Sequence, residues 1–345
     1  MSERVGLIVG VGSIGRRHAA VMAERYEQLI VVDTQATALE WCHQHLKPEI
    51  RSFDSVEAAI PEITSHTSDI TAVIAAWGPH QFPIFSALVD AGVRNIFCEK
   101  PVAVSLGQVA ALREMIRSNG ISLNTGLHFR YRNIAETIRA FADKYLGGAP
   151  SMCVVAGGAR CVATNGIHWL DLASCTFGCE PISVTSRLQR HEINPRTPSV
   201  GFWQGVGVWE YPQGRVFTVS YSNHSSVDDV VTWFCPLGTI RVTPSLEIVM
   251  EVRDRNEVET DARMTRVGAT KPMFPTIAAN IVQGSVLAQQ LDDVESGNPI
   301  PFADISPLRT VEALLAAFES NNCQKSLSLP VSNDVLQSSD EWAIS

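Results

Sequence analysis

Three glycines at fixed spacing carry the plainest chemistry in this chain. Gly10-Val11-Gly12-Ser13-Ile14-Gly15 follows an apolar run and opens a helical pattern, and Asp33 ends the next apolar run. Strand, GxGxxG, helix and then an acidic residue form, in that order, the fingerprint of a dinucleotide site. Gly10 permits the tight turn, Gly12 keeps a side chain out of the pyrophosphate's path, and Gly15 lets helix and strand pack closely. Ser13 and Ile14 begin the helix whose free N–H groups and positive dipole end face the phosphates. Asp33 is placed to accept hydrogen bonds from the adenosine ribose and would repel a 2′-phosphate, which favours NAD over NADP. Arg16 and Arg17 pull the other way, because either can reach toward a phosphate.

Two further residues have reactive side chains in ordinary surroundings. Lys100 stands before Pro101 as a surface lysine commonly would, and His168 is flanked by Ile167, Trp169 and Leu170, the setting of a core histidine. Nothing local assigns either of them a role.

The elements that must position these residues follow a regular alternation. Short apolar runs at Val5–Val9, Leu29–Asp33, Ile70–Ala76, Asn95–Cys98 and Ile121–Asn124, with a weaker one near Ile50–Phe53, are separated by helical patterns such as His80–Ala91 and Ser105–Ser118. Repeated βαβ units of this kind make a doubly wound parallel sheet, and Ser105 is a suitable N-cap. Ala76, Trp77 and His80 then fall at the carboxyl end of the fourth strong run, where cofactor contacts are expected. After residue 125 the texture changes. One helix (Asn133–Tyr145) precedes a strand-rich region, and turn signals through 202–253 predict an antiparallel meander. Helices are predicted again over 276–292 and 308–320. The expected division is a Rossmann domain over 1–125 and a second α/β domain over 126–345, built on a large, mainly antiparallel open sheet.

Composition narrows the class. The chain has 345 residues, 45% hydrophobic and 18% charged, with a net charge of −9 and no basic track. This is a globular profile without the footprint of a nucleic-acid binder. No apolar run reaches the length of a membrane span and no leader pattern opens the chain, so a cytoplasmic location is expected. Eight scattered cysteines suit reduced thiols, with no structural metal.

At Cys98-Glu99-Lys100-Pro101 a wider pattern closes. Together with GVGSIGRRH, AVIAAWGPH, GLHFRY at 126–131, GIHWLDL at 166–172 and FESNNCQKSLSLP, the chain resembles the Gfo/Idh/MocA family of sugar and cyclitol oxidoreductases over almost its whole length. The resemblance implies a Rossmann domain followed by a substrate-binding and oligomerisation domain, in a homodimer or homotetramer. Lys100 matches the lysine beside the nicotinamide and the reacting hydroxyl, Glu99 a residue of the cofactor ribose contacts, and His168 the family's acid/base histidine. His128, Arg130, Thr164 and Asn165 fall where relatives line the substrate cleft. Thr164 departs from the pattern, since many relatives carry there an aspartate that partners the histidine. Asp171, one turn after His168, either supplies the missing carboxylate or is a structural acid as in relatives, and the structural role is favoured.

The implied reaction moves hydride between nicotinamide and a secondary hydroxyl or keto carbon of a sugar, amino sugar, nucleotide sugar or cyclitol. Its rivals are a redox-neutral enzyme that retains NAD and a non-catalytic dinucleotide-binding regulator, to which Thr164 points. Lys100 and His168 together speak for the enzyme.

Overall fold

The apolar runs of the N-terminal third become β1 (Val5–Val9), β2 (Gln28–Val32), β3 (Glu49–Phe53), β4 (Ile70–Ile74), β5 (Asn95–Cys98) and β6 (Ser122–Thr125). They pair in parallel in the order β3-β2-β1-β4-β5-β6. The structure, a computed structural model, describes residues 4–66, 70–191, 202–243, 245–252, 281–282, 284–338, 340–342 and 344. Strands β1, β2 and β4 are buried along their whole length, as a parallel sheet covered on both faces requires. Edge strand β3 is mostly exposed, and its polar Glu49 and Arg51 suit an edge.

The crossovers are α1 (Ser13–Ala23), α2 (Ala36–His45), α3 (Val56–Thr64), α4 (Gly78–Asp90) and α5 (Leu106–Asn119). Ser105 caps α5 through Gln108 N–H, as its position predicts. Helix α1 buries Ala19 and Met22 in a cluster with Ile8, Val31 and Phe97, while Arg16 and Arg17 stay on its exposed side.

The chain divides into two compact units. One comprises Met1–His128, Ser285–Pro301 and Ser339–Ser345, the other Phe129–Gly284 and Phe302–Ser338. Later segments therefore return to the first unit. α6 (Ile134–Tyr145) and α7 (Ile167–Phe177) belong to the second unit, whereas α8 (Leu287–Ser296) belongs to the first. Leu291 and Val294 of α8 enter the first unit's core cluster. The Gln290 carbonyl accepts Asn124 Nδ2 at 3.1 Å and that of Val294 accepts Ser122 Oγ at 2.9 Å. Trp342 N–H donates to the Val104 carbonyl at 2.8 Å, and fully buried Ile344 lies against Gly78, which has no side chain to block it.

The second unit holds β7 (Met152–Gly157), β8 (Ser183–His191), β9 (Phe202–Tyr211), β10 (Arg215–Tyr221), β11 (Val230–Cys235), β12 (Gly238–Val242), β13 (Ile248–Val252) and β14 (Leu327–Ser328) in one sheet, ordered β13-β12-β11-β7-β10-β9-β8-β14. Every pairing is antiparallel except β10 with β7. The predicted meander over 202–253 is thus interrupted: β9 and β10 form a hairpin, but β7 inserts between β10 and β11. Helices α7 and α9 (Pro307–Cys323) cover one face. Trp209 Nε1 donates to Ala313 O and Ser186 N–H to Ser320 Oγ. The other face carries Val206, Val230 and Val249, 40–48% exposed. A short helix α10 (Asn333–Ser338) follows.

The helix expected over 276–292 begins only at Leu287. Residues 276–280 and 283 of that expectation lie outside the described residues. Ile281 and Val282 are not helical, and the Val282 N–H donates instead to the Arg132 carbonyl at 3.1 Å.

Candidate active site

The strand order reverses direction between β1 and β4, the place where open parallel sheets bind ligands beyond their carboxyl ends. Each glycine after β1 has a separate physical reason. Gly10 has φ +90°, and a Cβ there would meet the Ala75 backbone at 2.8 Å. At Gly15 a Cβ would run into the Gly10 carbonyl. At Gly12 nothing lies within 4 Å, so its missing side chain leaves open space directly at the N-cap of α1. No side chain caps that helix, and its first turn has no acidic residue. Open space beside uncapped N–H groups fits a pyrophosphate.

Asp33 is fixed beside this turn. Its Oδ2 accepts the Val11 N–H at 2.6 Å and its Oδ1 the Gln35 N–H at 2.8 Å. Backbone donors therefore aim the carboxylate, while each oxygen keeps a lone pair for a ribose hydroxyl. The Arg16 guanidinium lies over the Trp41 ring, 4.9 Å from its centroid.

On the other side of the reversal, Ala76 and Trp77 lead into α4. The Ala76 carbonyl accepts Gln81 Nε2 at 3.2 Å, and Gln81 Oε1 in turn accepts the Cys98 thiol at 2.8 Å. This links the ends of β4 and β5. Trp77 is 37% exposed and meets His80 edge to face at 5.5 Å.

Glu99 and Lys100 follow β5 directly, and the Lys100–Pro101 peptide bond is cis. Glu99 N–H donates to the Ile74 carbonyl at 2.8 Å, which docks the segment on β4. Its carboxylate accepts the Lys100 N–H at 3.2 Å on Oε2 and lies 2.9 Å from His18 Nε2 on Oε1. Burial alone would push the Glu99 carboxyl up. The hydrogen bond from His18, with Lys100's charge and N–H, holds it below its ordinary value instead. His18 is absent from the expected site residues. Its only sequence signal is its place three residues after Gly15, on the buried face of α1, in a stretch whose arginines face out.

The second unit holds the other candidates. His168 lies in the first turn of α7, a helix buried throughout, with the Phe129 ring 5.6 Å from its own. A π-helical turn, Val162–Gly166, enters this helix, a distortion found frequently at functional sites. Thr164 and Asn165 lie on that turn. Thr164 Oγ1 donates to Asn165 Oδ1 at 3.2 Å, and both side chains are half-buried. Trp169 Nε1 donates to Asp229 Oδ2 at 3.0 Å. Burial pushes the Asp229 carboxyl up, against the pull of Trp169 and Arg160.

One expected substrate-cleft residue is corrected. Arg130 is 3% exposed, and its guanidinium grips Asp171 with both forks, at 2.8 and 2.6 Å. It also donates to the Ile305 carbonyl at 2.7 Å. Asp171 Oδ1 accepts Thr310 Oγ1 as well, at 2.9 Å. The pair joins the segment after β6 to α7 and α9, with both forks of the guanidinium taken up by the carboxylate. His128, half-buried in the first unit, begins the 3₁₀ turn His128–Tyr131.

The glycine turn, Asp33, Ala76 to His80, Glu99 and Lys100 thus converge at the carboxyl ends of one sheet. Thr164, Asn165 and His168 converge at the start of α7 in the second unit. Among the described residues no group of His, Cys, Asp and Glu is arranged to hold a metal ion, and no helix is long and apolar enough to cross a membrane. All eight cysteines are free thiols.

A parallel sheet with an open glycine turn at its reversal has the architecture of a dinucleotide-binding domain. Residues 4–127 match the model of the Gfo/Idh/MocA oxidoreductase family, which has an NAD-binding Rossmann fold. The chain is 28% identical to the inositol 2-dehydrogenase of Rhizobium meliloti (strain 1021) over 202 residues, spanning 54% of this chain and 58% of that protein. Its fold is shared by an oxidoreductase from Agrobacterium radiobacter in complex with NAD+, L-tartaric acid and magnesium (TM-score 0.69, 18% identity, 95% and 98% of the two chains). The myo-inositol 2-dehydrogenase from Lactobacillus plantarum has it too (TM-score 0.68, 17% identity, 96% and 100%).

Proposed function

We propose that this protein is an NAD-dependent dehydrogenase or reductase acting on a secondary hydroxyl or keto group of a carbohydrate-like molecule. Sugars, amino sugars, nucleotide sugars and cyclitols are its substrate range, and a cyclitol is the first to try, given the inositol 2-dehydrogenase relative. The observation that carries the reading is the juxtaposition of an open, uncapped helix start at Gly12 with Glu99 and Lys100 at the end of β5.

The residues fit NAD. The first turn of α1 takes the pyrophosphate, Asp33 the adenosine ribose and Glu99 the second ribose, with Ala76, Trp77 and His80 beside the nicotinamide. Asp33, aimed by two backbone N–H donors, favours a ribose hydroxyl over a 2′-phosphate. When bound, the nicotinamide accepts or returns the hydride. Lys100 places positive charge at the reacting oxygen, stabilising alkoxide in one direction and polarising the carbonyl in the other. His168 takes the hydroxyl proton in oxidation and gives it back in reduction. Thr164 and Asn165 orient the substrate's other hydroxyls. The exposed apolar sheet face that carries Val206, Val230 and Val249 supports assembly as a homodimer or homotetramer, and the cytoplasm is the proposed location.

The test is a panel of cyclitols, sugars and nucleotide sugars with NAD or NADH, followed by the absorbance of NADH. Turnover of at least one, abolished in Lys100→Ala, is expected. Turnover with NADP(H) alone would replace the cofactor assignment.

A further inference from the structure

Three separate parts of the first unit meet at one carboxylate. His18 comes from α1, the helix that begins at the glycine turn, and is completely buried. Its Nε2 is 2.9 Å from Glu99 Oε1, and its ring lies 4.8 Å from Phe97, the core residue two positions before Glu99. Gly126, just after β6, comes so close that a Cβ there would collide with Glu99 Oε2. Its N–H donates to the Cys98 carbonyl at 3.1 Å.

The His18 tautomer follows from its surroundings. Nδ1 is buried with no hydrogen-bond partner among the described residues, and Nε2 faces a carboxylate. A proton on Nδ1 would set a bare nitrogen lone pair against an anion, so the proton sits on Nε2 and donates to Glu99. A hydrogen bond to a charged acceptor is among the stronger ones, and here it is sheltered from water. The Glu99 side chain itself is 17% exposed, so the carboxylate is gripped from the core side and open on the other.

We propose that His18 is a positioning residue: by donating Nε2–H to Glu99 it aims that carboxylate at the bound cofactor and ties the phosphate-binding helix to the segment that carries Lys100. The inference rests on the NAD-dependent reading above and assigns a new role within it. His18 does not touch the cofactor; Glu99 does. One link therefore lets the pyrophosphate end and the nicotinamide end of the site keep a common geometry.

The experiment exploits reach. A glutamine amide extends as far as Nε2, whereas an asparagine amide ends near the position of Nδ1. NADH affinity is measured by fluorescence titration for the full-length wild type, His18→Gln, His18→Asn, Glu99→Gln and the double variant His18→Asn/Glu99→Gln, with melting temperatures alongside. His18→Gln is expected to bind within about threefold of wild type and His18→Asn to lose about tenfold, the effect of losing a hydrogen bond to a charged group. The double variant is expected to bind no more weakly than Glu99→Gln, because His18 acts only through Glu99. Equal losses in His18→Gln and His18→Asn, or additive losses in the double variant, overturn the inference and leave His18 a packing residue. Unchanged affinity in His18→Asn overturns it as well. Wild-type protein that binds no NADH removes the cofactor reading itself and this inference with it. Should His18→Asn fail to fold, His18→Leu takes its place in the cycle, with the same expectations.

Discussion

The turn after β1 and the start of α7 solve opposite problems. At the first, backbone does the recognition. Gly12 has nothing within 4 Å of its missing side chain, and Asp33 beside the turn is held by backbone donors. At the second, side chains hold side chains, with Arg130 locked on Asp171, Thr310 on Asp171 and Trp169 on Asp229. A site made of backbone can be left open at little cost, because its N–H groups are solvated until a ligand arrives. On a helix buried along its whole length, polar groups need partners within the protein, since an orphaned one costs about 1–3 kcal/mol.

The largest expected effect breaks the second region. Asp171→Ala leaves the Arg130 guanidinium buried without its carboxylate, and removing one partner of such a pair costs about 3–5 kcal/mol. Urea denaturation should show a loss of this size, while the folded fraction keeps its NADH affinity because the glycine turn is untouched. A loss of less than about 1 kcal/mol would mean that Arg130 finds other acceptors.

Next come the two residues proposed to react, Lys100 from the first unit and His168 from the second. Lys100→Ala and His168→Ala should each lower kcat by at least about a hundredfold, with NADH binding almost intact. Near-normal turnover in His168→Ala alone would leave the proton chemistry to Lys100 and return His168 to the buried core of α7. Near-normal turnover in both would remove the catalytic assignment.

Asp33→Ala tests the first region more gently. NAD binding should weaken roughly tenfold, and the gap between NAD and NADP should narrow, as read by titrating both. Tighter binding of NADP in the wild type would show that Arg16 outweighs Asp33.

The smallest effect is a pH dependence. Glu99 has a folded pKa held below its ordinary value near 4.5, so the stability it contributes is complete above that value and is lost as pH falls through the lower folded one. Acid unfolding of Glu99→Gln should lack this part of the slope. An identical acid limb in wild type and variant would mean that the carboxylate is equally well solvated in the unfolded chain.

Much of the first region was legible from residue order. The strands, the glycine turn and Asp33 are local: each apolar run predicts its strand and each glycine its turn, whatever the rest of the chain does. The EKP segment carried Glu99 and Lys100 by resemblance. His18 stayed hidden because its partner is 81 residues away, and no local pattern separates a histidine on a carboxylate from one in plain packing. Arg130 was misread for the same reason. An arginine close to expected site residues looks available until Asp171, 41 residues on, is seen to occupy it.

By itself, then, the sequence determined the parallel βαβ order and the glycine turn with Asp33 after it, because these depend on short-range backbone geometry and on types at fixed spacing. Tertiary structure decided that α8 returns to the first unit's core, that β7 splits the later strands between β10 and β11, and which charged groups are paired with each other. Those outcomes depend on which distant apolar and polar surfaces bury each other most completely, and that competition is settled only when the whole chain is packed.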